Sequence, residues 1–146
     1  MKLTTRFRYG ARAMLDLAIH SDQRPVSLKD IARRQGLSLK YLETLFSALH
    51  AAGLVRSVRG AQGGYQLTQP PGEITLRRLY EVLEGSSPLV DCTADPKVCS
   101  RAESCVTQRV WSQLYQVCAE FLEGITLKDL MDNAETVLPA RQSYHI

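Results

Sequence analysis

Three cysteines, Cys92, Cys99 and Cys105, crowd into one short stretch of a 146-residue chain, and a fourth, Cys118, follows 13 residues later. Thiolate sulfur is a soft ligand, so three of them in such a cluster suit an iron–sulfur cluster or zinc. The same grouping also suits a thiol redox switch. A disulfide framework belongs to oxidising compartments. The first residues, Met1 to Arg8, are basic but lead into no long apolar run. That argues against a signal peptide, and no stretch is apolar enough to span a membrane. A cytoplasmic protein without a membrane partner is expected. No His–Asp pairing and no nucleotide-binding glycine loop accompanies the cysteines, so an enzyme is not expected.

The charge is divided unevenly along the chain. Residues 1–70 carry 11 Lys and Arg against 4 Asp and Glu, while residues 71–146 carry 7 against 11. A basic half joined to an acidic half points to a polyanionic partner for the first half.

The elements that would position these groups follow from periodicity. Phe7, Ala11, Met14, Leu15 and Ala18 make one apolar face of a helix from about Thr5 to His20. Ser27, with Asp30 three residues on, starts a short helix to about Gln35, and Gly36 permits a sharp turn. Ser38 caps a further helix with Leu42, Leu45, Phe46 and Leu49 inward, ended by Gly53. Residues 27–53 therefore read as a helix-turn-helix whose second helix enters the major groove. Leu54 to Arg59 and Tyr65 to Leu67 alternate as strands around a glycine-rich turn, which makes a wing. Pro70-Pro71-Gly72 closes the unit, and Ile74 is expected to add a short edge strand. Thr75 caps a helix from about Leu76 to Glu84.

The stretch from Asp91 to Ser104 has little apolar content and reads as a loop. From about Cys105 to Glu123 the helical period returns, with Val106, Val110, Leu114, Val117, Phe121 and Leu122 in a stripe and Trp111 and Tyr115 beside it. A helix of roughly 28 Å is too long for so small a domain to cover, so a second copy is the simplest cover. Its expected seam is Val110, Trp111, Leu114, Cys118, Phe121 and Leu122. Thr126, with Asp129, caps a last short helix, and the tail from Thr136 is expected to be mobile. The predicted fold is mainly α with a small β-hairpin wing: a winged helix-turn-helix plus a long C-terminal dimerisation helix. The divisions are a DNA-binding unit at 1–85, a cysteine-rich loop at 86–104, a dimerisation helix and short final helix at 105–135, and a tail at 136–146.

The recognition helix presents residues 38–44 to DNA: Ser38 at its start, Lys40 and Thr44 on its outer face, and Tyr41 toward phosphate. Arg59 can pair with a guanine edge or enter the minor groove. Lys2, Arg6 and Arg56 suit phosphate contacts, which position without specifying. Gly60, Gly63 and Gly64, with Tyr65 behind them, suit close approach of the wing to the backbone of DNA. Two alternatives stand beside this reading. One is a thiol-switched or zinc-structured regulator; the other is an adapter that docks a metabolic enzyme without DNA.

Several stretches together resemble the Rrf-two family of bacterial regulators, most closely its IscR-type iron–sulfur members, and the likeness runs to about Glu135. They are Arg8-Tyr9-Gly10, Ala13 to Asp16, Ile31 to Ser38, Tyr41-Leu42-Glu43 with Leu45-Phe46, Gly53-Leu54-Val55, Ser57 to Gly60, Gly63-Gly64-Tyr65 and Ile125-Thr126-Leu127. The resemblance implies a homodimer on a double-stranded DNA operator. It implies an iron–sulfur cluster, [2Fe–2S] ahead of [4Fe–4S], on Cys92, Cys99 and Cys105. It places Lys40, Glu43, Thr44 and Arg59 at or near the bases; Glu43 and Arg59 match the common residue type, while Lys40 and Thr44 do not. IscR-type members carry a histidine ligand three residues after the last cysteine, where this chain has Gln108, and their first spacer is one residue shorter. The nitric-oxide-sensing branch uses a partner carboxylate at the position of Arg8. The fourth ligand is therefore unassigned, with Asp91, Asp95, Glu103 and Cys118 as the candidates.

Overall fold

Thr4, in extended backbone, accepts the Arg6 amide on its hydroxyl, and α1 runs from there over Thr5–His20. A computed structural model describes residues 1–86 and 88–142, with side chains described as far as Glu135. Ser27 caps α2 (Leu28–Gln35), and Gly36 ends it in the left-handed conformation at φ 64°, which glycine adopts at low cost. Ser38 then caps α3 (Leu39–Ala51). The wing is an antiparallel pair, β1 (Val55–Val58) and β2 (Gly64–Leu67), in the register Val55 to Leu67 and Arg56 to Gln66. A 3₁₀ turn at Pro71–Glu73 leads to α4 (Leu76–Glu84), capped by Thr75.

Phe7, Met14, Leu17, Ile31, Leu42, Leu45, Phe46, Leu49 and Leu79 are buried together and form the centre of the core. Burial of side chains of this size stabilises by about 1.5–3 kcal/mol each, which outweighs the modest helix propensities of such short elements. The wing is not an appendage. Val26 and Tyr65 exchange both backbone hydrogen bonds, at 2.9 and 2.8 Å, so β2 is pinned to the connection between α1 and α2. Ile74 does not form an edge strand; Thr75 makes a single bridge with Thr126, flanked by Leu76 N to Ile125 O at 2.8 Å and Leu127 N to Ile74 O at 2.9 Å.

Past α4 the chain departs from the expected open loop. It forms one turn of helix, α5 (Asp91–Ala94), and 3₁₀ turns at Pro96–Val98 and Ala102–Ser104. Local polar groups explain this: the Asp95 carboxylate accepts the Lys97 amide and the Thr93 hydroxyl donates to the Val90 carbonyl, so short turns satisfy the backbone without an apolar face. The long helix α6 (Val106–Glu123) follows as expected. The last helix, α7 (Leu127–Gln142), is longer than expected. It continues into the segment assigned to the tail. Residues 143–146 of that tail lie outside the described residues.

Most of α6 turns its apolar stripe outward. Val117 is 61% and Phe121 67% exposed, and Val106, Val110, Trp111 and Leu114 are exposed with them. Cys118 is half-buried. Leu122 is the correction to the expected seam: at 9% exposure it packs into the same core as Leu127 and Ile74. Leu122 lies about 100° around the helix from Phe121, on the side of the buried Ala119, so it faces the core while Phe121 faces out. Among the described residues no helix is long and apolar enough to cross a membrane.

Candidate nucleic-acid interface and cysteine segment

Lys40, Glu43 and Thr44 stand exposed on α3, on the side opposite the buried Leu42, Leu45, Phe46 and Leu49. The Ser38 hydroxyl accepts the Tyr41 amide at 3.3 Å and so sets where this helix begins. Thr44 donates its hydroxyl to the Lys40 carbonyl at 3.2 Å, within the helix. Tyr41 is half-buried, with its ring edge-on to Tyr9 at 6.2 Å. The outer face of α3 thus offers an ammonium, a carboxylate and a hydroxyl in one patch, which is the chemistry of base-edge readout.

Arg59 and Gly60 are exposed at the wing tip, where the Gly63 amide closes the turn onto the Gly60 carbonyl at 3.0 Å. Arg56 is paired across the strands, donating to the Gln66 side-chain carbonyl at 3.0 Å. The other wing glycines have an internal reason to be glycine. A Cβ on Gly63 would lie 2.3 Å from the Val58 carbonyl oxygen, and one on Gly64 2.3 Å from that of Val26. Tyr65 packs its ring on Phe46 at 5.0 Å, which gives it a structural place in the wing.

The N-terminal arm is tied to α4. The Lys2 amide donates to the Tyr80 hydroxyl at 3.2 Å, and Lys2 is exposed. Arg6 is half-buried and donates its Nε to the Leu83 carbonyl at 2.6 Å. The end of α4 thus occupies one donor of the guanidinium that the sequence assigns to phosphate. Glu84 completes the clasp by accepting from the Thr4 hydroxyl and from the Phe7 amide.

A network that periodicity does not reveal holds the helix-turn-helix together. Asp16 on α1 is 3% exposed and accepts from Arg34 Nε and Nη2, the latter at 2.6 Å, and from the Gln35 side-chain Nε2 at 2.8 Å. The carboxylate hydrogen bond raises the Arg34 pKa against the opposing effect of burial. The signal in the sequence is a carboxylate set among the apolar positions Ala13, Met14, Leu17 and Ala18 of one helix face.

The cysteine segment connects α4 to α6. Cys92 lies half-buried in α5, Cys99 is exposed, and Cys105 occupies the cap position of α6. Cys105 Sγ and Thr107 Oγ1 share a hydrogen bond at 3.2 Å. That bond, then the backbone amide of Gln108 and the nearby Arg101, holds the Cys105 thiol below the usual thiol range. Gln108 itself donates its side-chain amide to the Cys92 carbonyl at 3.2 Å, tying the two ends of the segment together. The donor set suits an iron–sulfur cluster in chemistry, since three thiols stand on one short segment and one of them ionises more readily than an ordinary cysteine. Among the described residues no three His, Cys, Asp or Glu side chains converge to hold a metal. Asp91, Asp95 and Glu103 are exposed on this segment.

Comparison with known proteins agrees with this architecture. The Rrf2 family model, described as an iron-dependent transcriptional regulator, matches residues 3–133. The regulator IscR of Aliivibrio salmonicida is 43% identical over 98% of this chain and 85% of its own length. The structure of T. potens IscR superposes with a TM-score of 0.77 at 44% identity, covering 94% of this chain and 90% of that one. CymR, the global cysteine regulator of B. subtilis, superposes with a TM-score of 0.77 at 38% identity, covering 91% and 98%.

Proposed function

This chain belongs to the Rrf2 (Rrf-two) family of transcription regulators, and on that premise we propose that its operator binding is controlled by an iron–sulfur cluster held on Cys92, Cys99 and Cys105. Like its relatives it is a regulator and not an enzyme. The observation that carries the reading is three thiols on one segment, joined through Gln108 to the base of the long exposed helix.

In this reading residues 1–85 read DNA, 86–104 with Cys105 hold the cluster, and 105–135 join two copies through Val110, Trp111, Leu114 and Phe121. Two recognition helices then meet two half-sites, about 34 Å apart if successive major grooves are used. Lys40, Glu43, Thr44 and Arg59 supply base readout, while Lys2, Arg6 and Arg56 meet phosphates. A bound cluster would supply sensitivity to iron supply and oxidation, and [2Fe–2S] is preferred to [4Fe–4S]. Drawing the three thiols together requires residues 92–105 to close. Closure acts on α6 through Gln108 and on the N-terminal arm through α4, so dimer geometry and DNA contacts shift together. This is a change in the population of two dimer states. Gln108 takes the place of the histidine ligand of IscR-type members, so the fourth ligand is an exposed carboxylate of the segment or comes from outside the chain.

A second reading has its own observation. The Cys105 thiol, held below the usual range by its bond to Thr107, and the likeness to CymR, a regulator also solved in an oxidised form, support direct thiol control without a cluster. Anaerobic purification separates the two. Iron and acid-labile sulfide with broad visible absorption, all lost when Cys92, Cys99 and Cys105 are replaced by Ala, is the expected result. Zinc alone, or metal-free protein whose DNA binding changes on thiol oxidation, would sink the cluster and leave a zinc-structured or thiol-switched regulator.

A further inference from the structure

The turn between α2 and α3 is gripped from outside by one residue of α1. Arg12 donates Nη2 to the Gln35 backbone carbonyl at 2.6 Å and Nε to the Gln35 side-chain carbonyl at 3.2 Å. Gln35 is the last residue of α2, so that carbonyl has no partner within its own helix, and a cation beside it also suits the helix dipole. The other half of the Gln35 amide donates to Asp16 at 2.8 Å. An arginine only donates and a carboxylate only accepts, so the amide has one orientation in which both bonds form. Gln35 is held at three atoms by α1.

The same guanidinium reaches the far side of the turn. Its carbon lies 5.5 Å from the centroid of the Tyr9 ring, and Tyr9 meets Tyr41 edge-on at 6.2 Å and 90°. Tyr41 sits in the first turn of α3, between Lys40 and Glu43. Arg12 therefore touches the end of α2 directly and the start of α3 through one intervening ring.

We propose that Arg12 is a positioning residue for sequence readout: it sets the pose of the recognition helix, and so of Lys40, Glu43 and Thr44, from outside the helix-turn-helix. The proposal rests on the DNA-binding reading above. Base readout needs side chains placed within about 0.5 Å, whereas phosphate contacts tolerate more play. Lysine at this position keeps the charge but has neither the fork nor the flat face.

The test compares wild type with Arg12→Lys and Arg12→Ala. The probes are an operator selected from random duplexes by the wild-type protein and an unrelated duplex, each titrated across a range of salt. For Arg12→Lys, operator affinity is expected to fall roughly tenfold, the size of one lost base contact. Affinity for the unrelated duplex, the salt slope and the melting temperature stay near wild type, since the bonds lost are exposed. If both duplexes weaken together in Arg12→Ala with a shallower salt slope, and Arg12→Lys restores both, Arg12 is a phosphate contact and the proposal fails. It fails too if discrimination is unchanged, or if it drops only in step with the melting temperature. A wild-type protein that selects no sequence overturns the DNA-binding reading itself, a result visible before any variant is made.

Discussion

The Glu84 carboxylate accepts the backbone amide of Phe7 at 3.1 Å, so the last residue of α4 caps the first turn of α1. The same oxygen takes the Thr4 hydroxyl, and the chain's amino group reaches the Pro88 carbonyl at 3.4 Å. The N-terminal arm and the start of the cysteine segment are thus fastened to one another. Glu84→Ala should cost about 1–2 kcal/mol, read as a lower urea midpoint at unchanged slope. Glu84→Gln should cost less, since its carbonyl can still accept the amide proton and only the charge at the helix N-terminus is lost. Equal losses in the two variants would mean that the carboxylate acts through its charge alone.

Asp16 and Arg34 predict a larger effect. The carboxylate side chain is 2% exposed while that of Arg34 is 29%, so removing the acid strands a partly hydrated cation. Asp16→Ala should destabilise by about 3 kcal/mol, measurable by thermal and chemical unfolding. A loss below about 1 kcal/mol would show that solvent reaches the guanidinium and replaces the pair.

Two leucines on α6 separate assembly from folding. Leu114 is exposed and Leu122 is in the core. Leu114→Asp should leave the melting of the isolated chain little changed but shift sedimentation toward the monomer. Leu122→Ala should instead cost about 2–4 kcal/mol and leave the stripe intact. If the wild-type chain sediments as a monomer at micromolar concentration, the exposed stripe is not the seam of a dimer.

Asp129 provides a pH test. It accepts the Thr126 amide and hydroxyl, each at 2.8 Å, while its own amide donates back to the Thr126 hydroxyl at 3.2 Å. The backbone bond, then the side-chain bond, holds its carboxyl below the usual range. A lowered carboxylate pKa means that the cap of α7 stabilises fully above the unfolded value of about 4 and is lost as pH falls through the folded value. A carbon-detected NMR titration should show Asp129 protonating later than a free aspartate on acidification. Thr126→Ala removes the hydroxyl bond but keeps the backbone one, so it should shrink the difference without abolishing it; an unchanged titration in that variant would discount the hydroxyl.

Much of the DNA-reading half was legible from local rules. Ser27, Ser38 and Thr75 are caps because a short hydroxyl side chain can accept an amide proton that the helix leaves free, and all three open helices where expected. The exposed face of α3 followed from a period of 3.6 residues, because Leu42, Leu45, Phe46 and Leu49 could only point one way. The turns of residues 91–104 were missed because their hydrogen bonds run between Asp95, Lys97, Thr93 and Val90 and leave no apolar rhythm.

Local chemistry alone determined that this chain has a helix-turn-helix, a wing, a long apolar-striped helix and three thiols in one segment. Caps, period and residue type act over a few neighbours, and a sequence displays neighbours directly. Only the tertiary structure decided that Leu122 turns inward, that Gly64 must let the Val26 backbone pass, and that Arg12, Asp16 and Glu84 tie distant elements together. Each depends on which surfaces meet across the core. That is settled by the packing of the whole chain, where a charged side chain on one helix finds the unpaired end of another.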